Sequence, residues 1–273
     1  MNQVLDRIFR RAFDSFFLIA GPCAIESHET CQLIASEMKS ICEELEIPYI
    51  FKGSFKKANR TKVDSFKGIG DVEAISILTE IKREFDVSTT TDIHEVVDVE
   101  MIAGAIDLIQ IPAFLCRQTD LILAAAQTGK PINIKKGQFM SGASMLYGAE
   151  KVRSVGNEKV MLTERGNSFG YSDLVVDGRN VDVMARQELV VMDTTHATQR
   201  TNQVKGVSGG NPDDIELMGR IGLSSGALGI FMEVHPSPAD ASSDAGSMLA
   251  LSQAKDILKR WKSLSLTLRS IYG

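Results

Sequence analysis

Cys23, His196, Glu233 and Asp244 offer a thiolate, an imidazole and two carboxylates, a donor set suited to Zn²⁺, Fe²⁺ or Mn²⁺. Cys23 ends the stretch LIAGPC, where an apolar run breaks at Gly21-Pro22. The four residues are scattered, without CxxC or HExxH spacing, so spacing alone leaves metal binding and plain packing both open. A second group is cationic: Lys52, Lys57, Arg60, Lys135, Lys136 and Arg165. A lone strand-end lysine is ordinarily solvated, and a lone cysteine is ordinarily a small hydrophobe. Converging cations repel one another, however, unless anions occupy the site. Cys31 and Cys42 fall on the apolar stripe of a helix and Cys116 in PAFLCRQTD, so all three are assigned to packing. The methionines at 140, 145, 161, 184, 192, 218 and 232 read as core filler.

These residues follow apolar runs, which suggests what positions them. Strand-like segments are expected at 16–20, 48–52, 87–93, 106–111, 131–136, 159–164, 189–193 and 228–233. Helical spacing is expected at 27–44, 71–85, 95–103, 118–128, 144–155, 181–188, 213–225 and 249–268. Ser27 is a helix N-cap and Gly129 a helix stop. Eight such units fit a single-domain (β/α)₈ TIM barrel, whose strand ends converge on one mouth. A doubly wound open sheet is the alternative, but AGPCAIES lacks its glycine fingerprint. Residues 1–14 form an N-terminal extension, either a cap on the barrel floor or an interface element.

The chain has 273 residues, 44% hydrophobic and 24% charged, enough for one large core without low-complexity tracts. Its net charge of −5 argues against nucleic acid as a partner and confines any phosphate recognition to a local site. No apolar run approaches the roughly 20 residues of a membrane span. A cytoplasmic location is expected, where cysteines stay reduced.

Taken together, LIAGPCAIES, SFKKANRT, TTDIHE, LIQIPAFLCRQTDLILAAAQTGKPINIKKGQF, LTERGNSFGYSDLVVD, TTHATQ, FMEVHPSP and SDAGSML resemble the 3-deoxy-D-manno-octulosonate 8-phosphate synthases. The likeness runs from about Phe16 into the C-terminal helix. It implies a (β/α)₈ barrel that condenses phosphoenolpyruvate with arabinose 5-phosphate, releasing phosphate, in lipopolysaccharide biosynthesis. The related 3-deoxy-arabino-heptulosonate 7-phosphate synthases share this chemistry and are the alternative, but they carry Lys-Pro-Arg-Thr where this chain has KANRT. A cysteine after Gly-Pro marks the metal-dependent class, which makes Cys23, His196, Glu233 and Asp244 the implied ligands.

The resemblance further implies that Lys52, Lys57, Gln110, Lys135 and Arg165 hold phosphoenolpyruvate, and that Asn59, Arg60 and Thr61 meet arabinose 5-phosphate. Lys57 is the implied proton donor, with Cys23, His196 and Asp244 sharing the catalytic work. Arg117 would reach the acceptor phosphate of a neighbouring subunit, which implies a homotetramer. Three residues depart from the family pattern: Lys56 replaces Asp, Thr61 replaces Ser and Lys67 replaces Arg. Lys56 is expected to alter the charge beside Lys57. A Schiff-base aldolase using Lys52 or Lys135, and a sugar-phosphate-binding barrel without turnover, are the other readings.

Overall fold

A computed structural model of the chain describes residues 3–58, 64–200 and 209–272. Asn59, Arg60 and Thr61 lie outside the described residues. The first half runs α1 (Gln3–Phe9), β1 (Phe17–Gly21), α2 (His28–Glu44), β2 (Tyr49–Lys52), α3 (Asp71–Phe85), β3 (Ser88–Asp92), α4 (Val96–Ile102), β4 (Leu108–Ile111), α5 (Thr119–Gln127) and β5 (Ile132–Lys135). The second runs α6 (Gly142–Arg153), β6 (Val160–Glu164), a hairpin of β7 (Asn167–Phe169) and β8 (Asp173–Val175), α7 (Gly178–Ala185), β9 (Leu189–Asp193), β10 (Gln199–Arg200), β11 (Gly209–Gly210), α8 (Ile215–Ser224), β12 (Gly229–His235), β13 (Leu249–Ala250) and α9 (Ala254–Tyr272).

Eight parallel strands pair in the order β1-β2-β3-β4-β5-β6-β9-β12, and β12 returns to β1 with Phe17 opposite Gly229. The sheet therefore closes into the expected (β/α)₈ barrel. Local chemistry sets the helix ends. The Ser27 hydroxyl accepts the Thr30 N–H at 3.1 Å, and Cys31, Ile34, Ala35, Met38 and Cys42 bury one stripe of α2. α3 has Asp71 and Glu73 in its first turn and Lys82 and Arg83 in its last, matching the helix dipole. Four helices start two to five residues from where periodicity put them, α8 at 215 after a 3₁₀ turn at Pro212–Asp214. α6 starts at 142 because Ser141 caps it, and α7 at 178 because Asp177 accepts the Arg179 N–H. The last helix starts at 254 because residues 249–250 pair with β12 instead.

Side chains alternate across each strand, and that period sorts the barrel. Leu18, Ala20, Phe51, Ile109, Ile132, Ile134, Leu162, Val190, Ile230 and Met232 pack against the helices in one apolar cluster. Phe17, Ile19, Ile50, Leu108, Met161, Leu189, Val191 and Phe231 form a separate cluster inside the barrel. Leu5 and Ile8 of α1, with Phe13, belong to that inner cluster, so the N-terminal segment closes the barrel floor. Cys31, Cys42 and Cys116 are buried, as packing requires. Among the described residues no helix is long and apolar enough to cross a membrane.

Candidate active site

Moving two residues up each inner face replaces hydrocarbon with polar groups. Ile50 is followed by Lys52, Leu108 by Gln110, Met161 by Thr163 and then Arg165, Val191 by Asp193, and Phe231 by Glu233. Asp92 and Lys135 join them from β3 and β5, as their contacts with Gln110 and Asp193 show. The residues of opposite parity, Lys136 and Glu164, are buried and pair with each other at 3.2 Å, away from this set. Lys136 also donates to Asn167 Oδ1 at 2.8 Å. It braces the loop after β6.

The cations do not simply repel one another. Lys52 Nζ lies 3.0 Å from Glu233 Oε1 and 3.6 Å from Asp92 Oδ2, and donates to Ser54 Oγ and the Cys23 carbonyl. Burial disfavours its charge, but Glu233 and Asp92 outweigh that and raise its pKa. Lys135 Nζ is 2.7 Å from Asp193 Oδ2 and 3.7 Å from the centre of the Phe231 ring. For Lys57, too, burial lowers the pKa, but the facing groups Cys23, Glu233, Asp244 and Asp92 outweigh it and raise the pKa. Burial would raise the Glu233 carboxyl, yet His196, Lys52, Lys57 and Lys135 hold it down to about 2. Asp92 and Asp193 are likewise held well below the usual range, against their own burial, by their lysine neighbours and, for Asp193, first by His196.

Arg165 is the exception. It is buried, and Nη2 donates to Gln199 Oε1 at 2.8 Å, but among the described residues Nη1 has no partner. No carboxylate lies within ion-pair distance of it among the described residues. Burial lowers its pKa more than Asp193, Glu164 and Asp244 raise it. A buried guanidinium with a free edge is a receptor for a planar or tetrahedral anion.

Cys23 Sγ, a Glu233 oxygen and an Asp244 oxygen lie within 4.8 Å of one another. His196 Nε2 stands beside this group of three, 3.6 Å from Glu233 Oε1 and 3.9 Å from Asp244 Oδ2. Ligands on a tetrahedral ion of this kind sit about 3.5 Å apart, so Cys23, Glu233 and Asp244 could hold a divalent cation, with His196 next to them as a fourth donor. One further feature agrees: among the described residues, Glu233 Oε2 is buried without a partner. Burial, then Glu233 and Asp244, push the Cys23 thiol well above its ordinary range.

Gln110 lies on the inner face but is engaged. Its amide donates to Asp92 and its oxygen accepts from Asn133 at 2.9 Å, while Thr163 donates to Asn133 at 2.6 Å and Ser54 to Asp92. This hydrogen-bonded chain runs across five neighbouring segments of the barrel. Ser54, Asp92, Asn133, Thr163 and Asp193 were given no role from sequence, although inner-face parity points to the last four. The Lys56 ammonium pairs with buried Asp98. Arg117 is exposed beside a groove of about 350 Å³ that Cys116, Met140, Tyr147 and Lys151 also line, outside the mouth cluster.

The fold and mouth define a (β/α)₈ enzyme whose strand-end site gathers lysines, an arginine and carboxylates. Residues 8–269 match the DAHP synthetase I family. The chain is 46% identical over 245 residues to the 2-dehydro-3-deoxyphosphooctonate aldolase of Acidithiobacillus ferrooxidans, covering 89% of this chain and 87% of that protein. It is 45% identical to the enzyme of that name from Koribacter versatilis, with 89% and 88% covered. It is 46% identical over 261 residues to the one from Pisum sativum, with 93% and 90% covered. The chain belongs to the DAHP synthetase I family, among its 2-dehydro-3-deoxyphosphooctonate aldolases.

Proposed function

We propose that the barrel mouth condenses phosphoenolpyruvate with D-arabinose 5-phosphate and water to give 3-deoxy-D-manno-octulosonate 8-phosphate and phosphate. The observation that carries this reading is the inner face that joins Lys52, Lys135 and the unpartnered edge of Arg165 to the Cys23, Glu233 and Asp244 donors. The names of the curated relatives supply the acceptor, and they disfavour the heptulosonate alternative.

Arg165 and Lys135 hold the phosphate and carboxylate of phosphoenolpyruvate, the guanidinium as a planar fork and the ammonium as a point charge. Lys52, anchored by Glu233 and Asp92, keeps the cluster positive where that substrate enters. Gln110 holds its shape through Asp92 and Asn133. Asn59, Arg60 and Thr61 bind the acceptor. The C3 carbon of phosphoenolpyruvate bonds to the aldehyde carbon, and Lys57 gives its proton to the aldehyde oxygen. Water adds at C2, its proton returning to Lys57; phosphate then leaves with its bridging oxygen by C–O cleavage, taking up the C2 hydroxyl proton as the C2 carbonyl forms. Holding two anions in contact supplies much of the acceleration. Cys23, His196, Glu233 and Asp244 hold a divalent metal, Zn²⁺, Fe²⁺ or Mn²⁺, which when bound supplies Lewis-acid polarisation or a water of lowered pKa.

A Schiff-base route needs an uncharged amine, whereas Lys52 and Lys135 are both engaged by carboxylates. The enzyme works in the cytoplasm as a homotetramer. Exposed Phe114, Phe139 and Tyr147 around Arg117 support burial of that face against another subunit. Phosphate release from phosphoenolpyruvate with arabinose 5-phosphate, before and after chelation and metal add-back, tests the reading. Loss and recovery are expected. No release in any condition would refute catalysis and favour the binding-protein alternative, and full activity after exhaustive chelation would refute the metal.

A further inference from the structure

Asp193 ends β9 on the inner face, and both of its oxygens are engaged. Oδ1 accepts the backbone N–H of Thr195 at 3.1 Å and of His196 at 2.9 Å. Oδ2 lies 2.8 Å from His196 Nδ1 and 2.7 Å from Lys135 Nζ. A carboxylate offers only lone pairs, so the first of these contacts is a hydrogen bond only when Nδ1 carries the hydrogen. The competitor for Nδ1 is Lys135 Nζ at 3.3 Å, which would require a bare nitrogen there. That arrangement would set two lone pairs against each other at 2.8 Å, across the shorter contact. With Nδ1 protonated, the free lone pair is on Nε2, the nitrogen that faces Glu233 and Asp244.

We propose that Asp193 is a positioning residue whose one carboxylate fixes His196 as the Nδ1–H tautomer, with Nε2 turned to the cation site, and tethers the anion-holding Lys135 to the same point. Its consequence for metal affinity rests on the metal reading above; the tautomer does not. A carboxylate behind a ligating imidazole sets ring orientation and raises basicity, and its loss weakens metal binding about 10- to 100-fold. Because Oδ2 serves both partners, the geometry of the cation site and of the phosphoenolpyruvate lysine are set together. Residues that only pack against His196 would not choose which of its nitrogens is protonated.

The test uses full-length, metal-free protein with nitrogen-15 histidine at about pH 8, above the ordinary imidazole range. The chain has four histidines, and loss of one signal set in His196→Gln assigns the ring. The unmodified protein should show His196 protonated at Nδ1 and bare at Nε2. An Nε2–H ring overturns the proposal, whether or not any variant folds. In Asp193→Asn the side-chain amide should face Nδ1, and the proton should move to Nε2. Cobalt(II) alone is then titrated while the charge-transfer absorption of a Cys23 thiolate is followed. Asp193→Asn should bind 10- to 100-fold more weakly, and unchanged affinity overturns the link. Absence of cobalt uptake by the unmodified protein would refute the metal reading itself, leaving the tautomer decided by the nitrogen spectrum.

Discussion

Replacing Arg165 by lysine should separate the charge of the anion receptor from its shape. The guanidinium is buried, one amino group is held by Gln199 at 2.8 Å, and among the described residues the other has no partner. Lysine keeps the charge but has no second donor in a fixed fork. A hydrogen bond to a charged group contributes about 1.5–3 kcal/mol. At about 1.4 kcal/mol per tenfold, losing one raises KM for phosphoenolpyruvate roughly 10- to 150-fold. The same geometry makes an opposite prediction for stability. The pKa of Arg165 is lowered by burial despite Asp193, Glu164 and Asp244, so the folded protein bears a cost for that charge. Arg165→Met should therefore melt no lower than the parent in the absence of substrate. Phosphoenolpyruvate at 100 times its Kd should stabilise the parent by about 2.7 kcal/mol and the methionine variant hardly at all. Initial rates of phosphate release and thermal melts, each across a phosphoenolpyruvate series, read both effects. A KM within twofold of the parent in Arg165→Lys, or equal stabilisation of Arg165→Met, would refute the receptor.

Three other perturbations follow from the packing. Lys56→Asp would place a second carboxylate against buried Asp98, which otherwise keeps only the His94 and Glu95 N–H donors, so urea unfolding should show a loss of about 1–3 kcal/mol. Burial would raise the Asp98 pKa, but the Lys56 hydrogen bond and those two N–H groups lower it overall, so its contribution is present above about pH 4 and lost as pH falls further; a parent unfolding curve without that acid limb would contradict the pairing. Gly219→Ala would put a methyl carbon 2.2 Å from the Trp261 ring, and overpacking of that kind costs about 1–3 kcal/mol, so an unchanged melt would be inconsistent with the α8–α9 contact. Ile8→Ala should lose about 2–5 kcal/mol, since Ile8 is fully buried in the floor cluster, whereas an interface role would instead change assembly mass with little effect on subunit stability.

Runs rich in apolar or β-branched residues marked all eight barrel strands, since buried parallel strands favour both; β3, STTTD, is marked by its threonines alone. The hairpin Asn167–Phe169 and Asp173–Val175 left no such trace, being short, partly exposed and interrupted by Gly170. At the mouth, residue type located the cations but not their orientation. Lys135 and Lys136 are neighbours of the same type, yet one pairs with Asp193 in the lumen and the other with Glu164 outside it. Only the strand period, counted from Ile132 and Ile134, distinguishes them. The neutralising partners were hidden for a different reason: Lys52 and Glu233 are 181 positions apart and meet only when β12 closes on β1. Lys56 was hidden in the same way: its partner Asp98 lies 42 positions on, and the chain neighbour Lys57 gives no hint of it.

The most direct measurement offers the enzyme phosphoenolpyruvate with equal amounts of arabinose 5-phosphate and erythrose 4-phosphate, and identifies the product by mass. The eight-carbon 3-deoxy sugar acid phosphate, formed with equimolar phosphate, is the predicted outcome. A predominantly seven-carbon product would contradict the assignment of the acceptor, and no condensed product would contradict the reaction.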